Sequence, residues 1–465
     1  MPQYRLQTRA LDDEGCAAVH DATLRVLGTT GVEVQHGEML ARLAAAGAKV
    51  DGSRVRIPAG MIEDALTAAP RHFALASRAG TSPLELTSGP VHYGSGSDCI
   101  YVVGPRARDR RRGVLDDVEE MAALQEKLGN IDYVLSMVHP HELPAADAPV
   151  AQFAAMLRGT SKPLIMVPED ARHLEAFKAM AEACGAGDSW AIYAMPTPPL
   201  THGRDSVDRL VGCARLGIPM VYASAFLPGA TAPASVAGCV LLANAEMLSG
   251  LVIAQLAAPG APFVYGTAQG WMEPRSGHIV YCGPEEMATQ QASADMARQY
   301  GLPSFGTGGC SDSLLLDEQW AFEAGMTLIV GAQSGVTLLH DLGYVASGTA
   351  SSYEALVVAD ELVGWAKAYL VGIRVDEESL AEAEIAATGP GGSHLGRRHA
   401  RQHLREFFRP RLVSQDSFEA WHAAGAASLL ERAAQRTRDL RADGRAYRPS
   451  DDALRELDRI VARYA

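Results

Sequence analysis

The feature that most constrains the fold is a repeated order of short apolar run, loop and helix that begins near Val91. The apolar runs lie at Val91–Gly94, Tyr133–Val138, Leu164–Val167, Ala191–Met195, Met220–Ala223, Phe263–Tyr265, Ser304–Phe305 and Val336–Leu339. Helical stretches follow them at about 117–128, 146–158, 171–184, 205–216, 233–257, 284–299, 317–333 and 352–370. Strands that alternate with helices pair in parallel through right-handed crossovers, and eight such units close into a barrel. The sequence therefore predicts an α/β fold, a (β/α)8 TIM barrel over residues 91–372.

The residues on either side of the repeat predict two extensions. Residues 1–90 contain helical stretches at about 13–27, 37–46 and 59–68 and short strands at His72–Ala76 and Leu84–Leu86. Beyond Ile373 the chain is polar and helical, with its best segments at Glu377–Ala387, Arg397–Phe408 and Phe418–Asp439. We expect a helical and short-strand N-terminal extension over 1–90 and a helical C-terminal extension over 373–465 that packs on the barrel.

Charge and cysteine content narrow the class of protein. The net charge of −14 argues against nucleic-acid binding, and the five arginines between Arg106 and Arg112 are more typical of a solvated loop than of a phosphate site. The seven cysteines include no CxxC pair, which fits reduced thiols better than a disulfide framework or a zinc ribbon. Early charged residues such as Arg5 and Asp12 do not fit a signal peptide. We expect a cytoplasmic protein.

One predicted helix, from Pro233 to about Ala258, is apolar on every side, so a membrane span has to be considered. Its polar residues Asn244, Glu246 and Gln255 are expensive in lipid, and its many small residues suit close packing. We therefore expect a helix buried within the protein, at the barrel and at an interface between copies of a homo-oligomer, and no membrane association.

The loop Pro303–Asp312 is the leading candidate for a functional loop, because it joins a predicted strand to a helix at the end of the barrel that carries function. Gly306, Gly308 and Gly309 allow a sharp turn and close approach of a ligand, and they place Cys310 at the tip. Buried thiols are commonly inert packing groups, so the sequence alone leaves both readings of Cys310 open.

Two groups of histidines lie at other predicted strand ends. His139 and His141 have a spacing that can direct two imidazoles toward one metal ion, but further ligands are scarce, and two polar loop residues are the simpler reading. His340 and Asp341 follow the last predicted strand, where an acid/base couple and a hydrogen-bonding anchor for a ligand are both open.

Aromatic residues are scarce in the chain, yet several fall at or near strand ends. Such rings can surround a quaternary ammonium ion through cation–π attraction. They are Tyr93, Tyr101, Phe226, Trp271, Phe305, Tyr344 and Tyr353.

Several stretches together resemble the trimethylamine methyltransferase family, whose corrinoid-dependent enzymes include pyrrolysine-free members that act on betaines. The matching residues run over about residues 10–445. They are Leu128–Asp132, Asn244–Met247, Pro259–Pro262, Tyr265–Gly266, Arg275–Gly277, Pro284–Glu285, Tyr300–Pro303, Cys310–Asp312, Asp317–Gln319, His399 and Trp421.

The resemblance implies a barrel enzyme that transfers a methyl group from a methylated amine to cobalt in a corrinoid, or cobalamin, carried by a separate small protein. This chain lacks the Asp-x-His-x-x-Gly motif that ligates cobalamin, so it is expected to bind no cofactor or metal of its own. Where the trimethylamine enzymes have pyrrolysine before a Ser-Asp pair, this sequence has Cys310. The departure favours a quaternary amine of the betaine type over trimethylamine.

The resemblance also suggests roles for residues at the barrel mouth. We expect Tyr93 and Trp271 to contact the cationic head of the substrate and His340 to bind its anionic end. Phe305 and Tyr344 complete the expected substrate site, Cys310 lines the pocket, and Asp312 holds the Cys310 loop. A metal-dependent hydrolase that uses His139 and His141, and a non-catalytic ligand-binding barrel, stay open as alternatives.

Overall fold

The computed structural model describes residues 6–105 and 109–464. Within these ranges the central sheet has eight parallel strands: β1 His92–Ser95, β2 Val134–Leu135, β3 Leu164–Met166, β4 Trp190–Ala194, β5 Met220–Ser224, β6 Phe263–Thr267, β7 Ser304–Thr307 and β8 Leu338–Leu342. β8 pairs with β1, and a parallel bridge between Gly94 and Tyr133 joins β1 to β2. The sheet therefore closes into the predicted barrel.

The helices that cover the barrel are α1 Leu115–Glu126, α2 Ala148–Gly159, α3 Leu174–Ala183, α4 Arg204–Leu216, α5 Val236–Ala257, α6 Pro284–Tyr300, α7 Glu318–Ser334 and α8 Tyr353–Leu370. Their ends carry the expected capping residues. Asp317 caps α7 by accepting a hydrogen bond from the Trp320 backbone N–H, and α6 ends at Gly301 in the left-handed conformation. The strand and helix order predicted from the sequence is confirmed.

Helix α5 is the long apolar helix that could have been a membrane span. By length and composition it passes that test, but 72% of its most apolar stretch is buried inside the protein. It packs against β5, β6, the neighbouring helices α4 and α6, and the N-terminal helices Asp13–Thr29 and Ala59–Ala68. Its buried polar groups are hydrogen-bonded, since Glu246 accepts from Ser224 Oγ at 2.6 Å and Asn244 bonds Thr23, Tyr265 and Tyr300. Its interpretation as a helix buried within the protein is confirmed.

The N-terminal extension is built into the barrel more closely than the sequence suggested. Its helices Asp13–Thr29, Gly37–Ala45 and Ala59–Ala68 were predicted, whereas the strands Val32–Val34, Lys49–Asp51 and Arg54–Arg56 were missed. The hairpin formed by Phe73–Leu75 and Leu84–Leu86 places Leu75, Leu84 and Leu86 in the same apolar cluster as the barrel interior. This hairpin therefore fills the barrel interior next to side chains such as Leu338 of β8.

The C-terminal extension contains the helices Glu377–Leu380, Glu382–Thr388, Arg398–His403, Phe418–Ala423, Leu429–Ala442 and Asp451–Val461. The predicted single helix from Phe418 to Asp439 is wrong, because Gly425, at φ +100°, and Ala426, at φ +53°, break it. The helix Asp451–Val461 was missed, and it packs on α2 and α3. Lys127 Nζ of α1 donates to Leu440 O at 2.5 Å, which fixes the helix Leu429–Ala442 to the barrel.

Short two-residue strands follow several barrel strands at the carboxyl end. They lie at Tyr101–Val102, Arg111–Arg112, Thr201–His202, Trp271–Met272, Ile279–Val280, Tyr344–Val345 and Ala350–Ser351. The arginine cluster lies partly here. Arg106 and Arg108 lie outside the described residues, Arg110 stacks on the Tyr101 ring, and Arg111 forms a two-point ion pair with Asp117. Arg110 and Arg111 therefore support loops at the mouth.

Candidate active site

Cys310 lies on the loop between β7 and α7, at the carboxyl end of the barrel. Gly309 has φ +74°, and a Cβ at this position would lie 2.4 Å from the Leu342 side chain, so the turn requires glycine. The thiol is buried and belongs to a small cluster with Cys99 and Tyr344, against which Tyr281 and Cys282 pack. The glycine-rich loop thus folds the Cys310 side chain inward.

A second thiol faces Cys310. Cys282 Sγ lies 3.9 Å from Cys310 Sγ and donates a hydrogen bond to the Cys310 carbonyl at 3.3 Å. The hydrogen bond with Cys282 and burial together raise the pKa of the Cys310 thiol well above its ordinary value. At neutral pH Cys310 is therefore an uncharged thiol, and a thiolate nucleophile is disfavoured at this position.

Asp312 links three loops at the mouth. Its carboxylate accepts hydrogen bonds from the backbone N–H groups of Tyr281 and Cys282, at 2.8 and 3.0 Å, and from Ser347 Oγ at 2.7 Å. Tyr281 and Cys282 follow β6, Asp312 follows β7 and Ser347 follows β8. The carboxylate therefore sets the positions of the segments around Cys310.

The same region contains a group of metal-ligand residue types. Cys282, Asp312 and Glu323 place one ligand atom each within 4.8 Å of one another, and over the described ranges they are the one such group found. Glu323 Oε2 already accepts from Ser311 Oγ at 2.7 Å and from the Asp312 N–H at 2.8 Å, and both Asp312 oxygens are engaged as above. The carboxylates are thus committed to holding the loop, and the group does not fit a resident metal.

His340 projects into the barrel from β8. Its ring lies 4.0 Å, centroid to centroid, from Phe305 of β7, and its Nδ1 lies 2.8 Å from the Gly306 carbonyl. A carbonyl can only accept, so Nδ1 carries the proton and Nε2 presents a lone pair. Burial lowers the His340 pKa to about 4, which keeps the ring neutral. In this tautomer Nε2 has no proton to donate to an anionic group, and the role of His340 in substrate binding stays a prediction.

Asp341, the next residue, has an unusual backbone. It lies within β8 rather than after it, and its φ of +83° is a conformation that residues other than glycine rarely adopt. The carboxyl oxygen Oδ1 lies 3.0 Å from His340 Nε2, which has no proton to donate, and Oδ1 has no hydrogen-bond partner. Burial raises the Asp341 pKa well above its ordinary value.

Aromatic side chains surround these two residues inside the barrel. Tyr193 of β4 packs 4.9 Å from the Phe305 ring and 6.0 Å from the His340 ring. The rings of Tyr133 and Tyr344 occupy space that Gly94 and Gly96 leave open, since a Cβ at either glycine would lie 2.2 or 2.0 Å from a ring atom. Two alternate glycines at the end of β1 therefore make room for two tyrosines.

The structure brings together only some of the residues predicted for the substrate site. Phe305, His340, Tyr344 and Cys310 lie in or beside the upper barrel, and Asp312 holds the adjacent loops. Tyr93 does not join them. Its side chain belongs to the cluster between barrel and helices, where Lys367 Nζ of α8 lies 5.1 Å from its ring, because strand alternation turns it outward. The structure therefore does not bring Tyr93 to the other residues predicted for the substrate site, and its contact with substrate stays a prediction.

Trp271 lies on the hairpin that follows β6, above the barrel rather than within it. It is half-buried and packs against the cluster of Phe226, Cys239, Leu242 and Ala243. The hairpin continues to Tyr281 and Cys282, so Trp271 belongs to the segment that covers the thiol cluster.

Sequence reasoning missed two further buried carboxyl groups at this end of the barrel. Glu286, in the first turn of α6, accepts from Thr307 Oγ1 at 2.9 Å and Gln269 Nε2 at 3.1 Å, and burial raises its pKa to about 8. Asp98 accepts from Gln152 Nε2 at 2.9 Å, and burial raises its pKa to about 7. The pair Glu285–Glu286 directly after Pro284, at the start of a predicted helix, was the available signal for Glu286.

An open cavity of about 1220 Å³ lies outside the thiol cluster. Its lining includes Tyr281 and Asp312 on the inner side, Gly348 beside them, and the apolar residues Ile279 and Leu314 toward solvent. Tyr281 therefore separates this vestibule from the barrel interior.

The predicted metal pair of the hydrolase alternative is not assembled. His141 Nδ1 lies 2.8 Å from the Gly113 carbonyl, and Glu142 accepts from the Leu115 N–H at 2.6 Å, so both residues hold the start of α1. Neither His139 nor His141 belongs to the group of possible metal ligands found in the described part of the chain.

Known proteins are similar to this chain in sequence or in fold. The chain is 29% identical over 434 residues to the glycine betaine methyltransferase of Desulfitobacterium hafniense strain Y51, with 90% of this chain and 89% of the relative covered. It is 29% identical over 460 residues to the trimethylamine methyltransferase MttB of Methanosarcina barkeri strain Fusaro, with 96% and 92% covered. The crystal structure of the Methanosarcina barkeri monomethylamine methyltransferase MtmB superposes with a TM-score of 0.56 at 11% identity, covering 96% of this chain and 90% of that one.

The match to a family of proteins extends over almost the whole sequence. The family model of trimethylamine methyltransferase (MTTB) matches residues 3–465, which include the barrel, both extensions and the Cys310 loop. The fold agrees with this match, because the structural similarity to the MtmB barrel also covers 96% of this chain. The chain therefore belongs to the trimethylamine methyltransferase family.

Proposed function

We propose that this protein transfers a methyl group from a quaternary amine of the betaine type to Co(I) of a corrinoid carried by a separate small protein. The observation that carries the proposal is the chemistry of Cys310. It stands where the resemblance places pyrrolysine in trimethylamine enzymes, and it is a buried, uncharged thiol with a raised pKa. Such a group offers no electrophilic imine to an amine.

The bonds that form and break explain why a quaternary amine needs no imine at position 310. In the transfer, Co(I) supplies the electron pair for the new cobalt–carbon bond, and the carbon–nitrogen pair leaves with nitrogen. A neutral tertiary amine would leave as a strongly basic anion, whereas a quaternary nitrogen leaves as a neutral tertiary amine. A quaternary substrate therefore needs no activation by residue 310.

The remaining tasks of the protein are to bind the substrate, to orient one methyl group toward cobalt and to exclude water. Phe305, Tyr344 and the Cys310 loop support this proposal as pocket-lining groups, and Asp312 as the group that positions the loop. The vestibule outside Tyr281 is on the side from which a corrinoid domain must approach. The name of the Desulfitobacterium relative, a glycine betaine methyltransferase, agrees with a betaine-type substrate.

A spectroscopic assay with a panel of amines tests the function. Purified protein is mixed with a small corrinoid protein whose cobalt has been reduced to Co(I). Glycine betaine, proline betaine, carnitine or trimethylamine is then added. We expect loss of the Co(I) absorption with at least one quaternary amine and none with trimethylamine. Methylation of cobalt by trimethylamine alone, or by none of the amines, would contradict the proposal.

The two alternatives predict other results. A metal-dependent hydrolase requires bound metal, which elemental analysis of the purified protein measures, and a non-catalytic barrel binds an amine without methylating cobalt. The cytoplasmic location and the homo-oligomeric state stay predictions.

A further inference from the structure

The upper barrel contains polar atoms that the protein itself leaves unsatisfied. In the described residues, Asp341 Oδ1, Tyr133 Oη and Gln269 Oε1 are buried side-chain atoms without a hydrogen-bond partner. A buried polar atom without a partner commonly costs about 1–3 kcal/mol, so native proteins rarely keep one without a reason. Asp341 and Tyr133 both lie at the interior of the barrel, on β8 and immediately before β2.

Asp341 has no cationic side chain beside it among the described residues. No Lys or Arg among the described residues forms an ion pair with it, and His340 Nε2, 3.0 Å away, is an unprotonated nitrogen. The other buried ionisable groups named at this end, Glu286 and Asp98, are carboxyl groups and supply no positive charge. A buried carboxylate without a cation is strongly disfavoured, so either Asp341 keeps its proton or a cationic ligand completes the site.

Four tyrosine rings lie near Asp341 at this end of the barrel. Burial raises the pKa of the hydroxyl groups of Tyr133, Tyr193, Tyr281 and Tyr344, and an ionised Asp341 would raise each pKa further, since these groups lie on separate segments around the same barrel end. The strain of the left-handed backbone at Asp341 is of the kind found at ligand sites.

We propose that Asp341 is the counter-ion of a small alkylammonium head that binds inside the upper barrel, where the rings of Tyr133, Tyr193, Phe305 and Tyr344 contact its methyl groups. The choice of a quaternary head rests on the proposed function. The site itself rests on the unpartnered carboxyl oxygen and the ring cluster. Methylated ammonium ions suit such a site because their charge is spread over C–H groups that pack on aromatic faces while the carboxylate balances the charge.

Binding measured without any corrinoid tests this inference. Calorimetry with the full-length protein compares tetramethylammonium, choline and 3,3-dimethyl-1-butanol, an uncharged molecule of the same shape as choline. We expect the two cations to bind and the uncharged molecule to bind at least about ten-fold more weakly, since it cannot pair with a buried charge. Equal affinities for choline and its uncharged analogue would overturn the inference, and this comparison needs no variant.

Variants then locate the site. Asp341→Asn should weaken tetramethylammonium binding by about ten-fold or more, and Asp341→Glu should recover part of the loss. Glu246→Gln is the matched control, because it also removes a buried carboxyl group but lies on α5, and it should bind as wild type does. Circular dichroism checks that each variant is folded. Unchanged affinity in a folded Asp341→Asn variant would overturn the inference.

The outcomes separate this inference from the proposed function. If alkylammonium ions bind through Asp341 but no amine methylates Co(I), the cation site stands and the proposed function fails. If betaine methylates Co(I) and the Asp341 variants bind amines normally, the function stands and the site lies elsewhere.

Discussion

Cys310 illustrates how the surroundings of one residue determine its chemistry. The sequence shows only a cysteine after glycines, which fits a reactive tip or an inert filler equally well. Burial and the contact with Cys282 at 3.9 Å decide for a protonated thiol. A protonated thiol at position 310 has no electrophilic imine, so it lacks the group with which pyrrolysine would activate a neutral amine.

The substitution Cys310→Ala tests this view. We expect most quaternary-amine demethylation to remain, because the thiol supplies neither charge nor nucleophile, and stability to fall by only about 1 kcal/mol for the loss of one buried sulfur. Rates of cobalt methylation with betaine, compared for wild type and variant, measure it. A loss of about 10³-fold or more would show that Cys310 takes part in the chemistry.

At the scale of elements, short loops at the ends of β6, β7 and β8 carry the site, and Asp312 joins them. Its three hydrogen bonds reach backbone and side-chain donors on two other loops. Polar contacts of this type are the means by which loops keep a fixed geometry over a rigid scaffold.

Replacement of Asp312 by Ala should loosen these loops. Tyr281 N–H, Cys282 N–H and Ser347 Oγ would lose their acceptor, and we expect a loss of about 1–3 kcal/mol in unfolding free energy together with a raised KM for the amine. Denaturant titration and steady-state kinetics measure the two effects. Asp312→Asn, which keeps one carbonyl oxygen, should lie between wild type and Asp312→Ala, and an unchanged KM in the alanine variant would contradict a positioning role.

Helix α5 gives an element-scale prediction about pH. Burial raises the Glu246 pKa from an ordinary 4.5 to about 7, so the folded protein holds a proton that the unfolded chain releases at lower pH. The stabilising contribution is present below about pH 4.5 and is lost as pH rises through about 7. Glu246→Gln cannot ionise and keeps the shape of the side chain.

We therefore expect Glu246→Gln to gain stability relative to wild type by about 1–3 kcal/mol between pH 4.5 and pH 8. Denaturant unfolding of both proteins across this range measures the difference, in which the titrations of Glu286, Asp98 and the buried histidines cancel. A difference that is independent of pH would show that folding does not raise the pKa of Glu246.

For the whole molecule, the apolar packing of the barrel interior and the candidate site lie in different parts of the barrel. The hairpin that contains Leu86 packs with the apolar side chains of the barrel interior, whereas the thiol cluster, Asp341 and the vestibule lie at the carboxyl ends of the strands. This is the division expected of a (β/α)8 barrel.

The substitution Leu86→Ala should lower stability without changing the binding of cations. Leu86 is fully buried, so we expect a loss of about 2–5 kcal/mol in unfolding free energy, with the affinity of the remaining folded protein for tetramethylammonium unchanged. Leu395→Ala, at a side chain that is 87% exposed, is the control and should change stability by less than about 0.5 kcal/mol. A loss of affinity in folded Leu86→Ala protein would place the cation site nearer the hairpin than we infer.

The sequence by itself determined the barrel, its strand and helix order and the loop that carries Cys310. Periodicity and turn residues are local properties, and they predict elements whose packing then follows from parallel crossover geometry. The resemblance to the family likewise needed only the order of the residues. The strands Val32–Val34 and Arg54–Arg56 were missed because strands this short have too little local pattern to be recognised.

Only the tertiary structure decided which side chains face one another. Tyr93 and His340 were both plausible ligands in sequence, but strand alternation turns Tyr93 toward Lys367, and the Gly306 carbonyl fixes the proton of His340 on the wrong nitrogen for an anion. Tyr133, Tyr193 and Glu286 come from distant parts of the chain and carry no shared motif. Burial, tautomer and hydrogen-bond satisfaction depend on neighbours that are remote in sequence, and for this reason Asp341 could be recognised as an unpartnered charge only in the folded barrel.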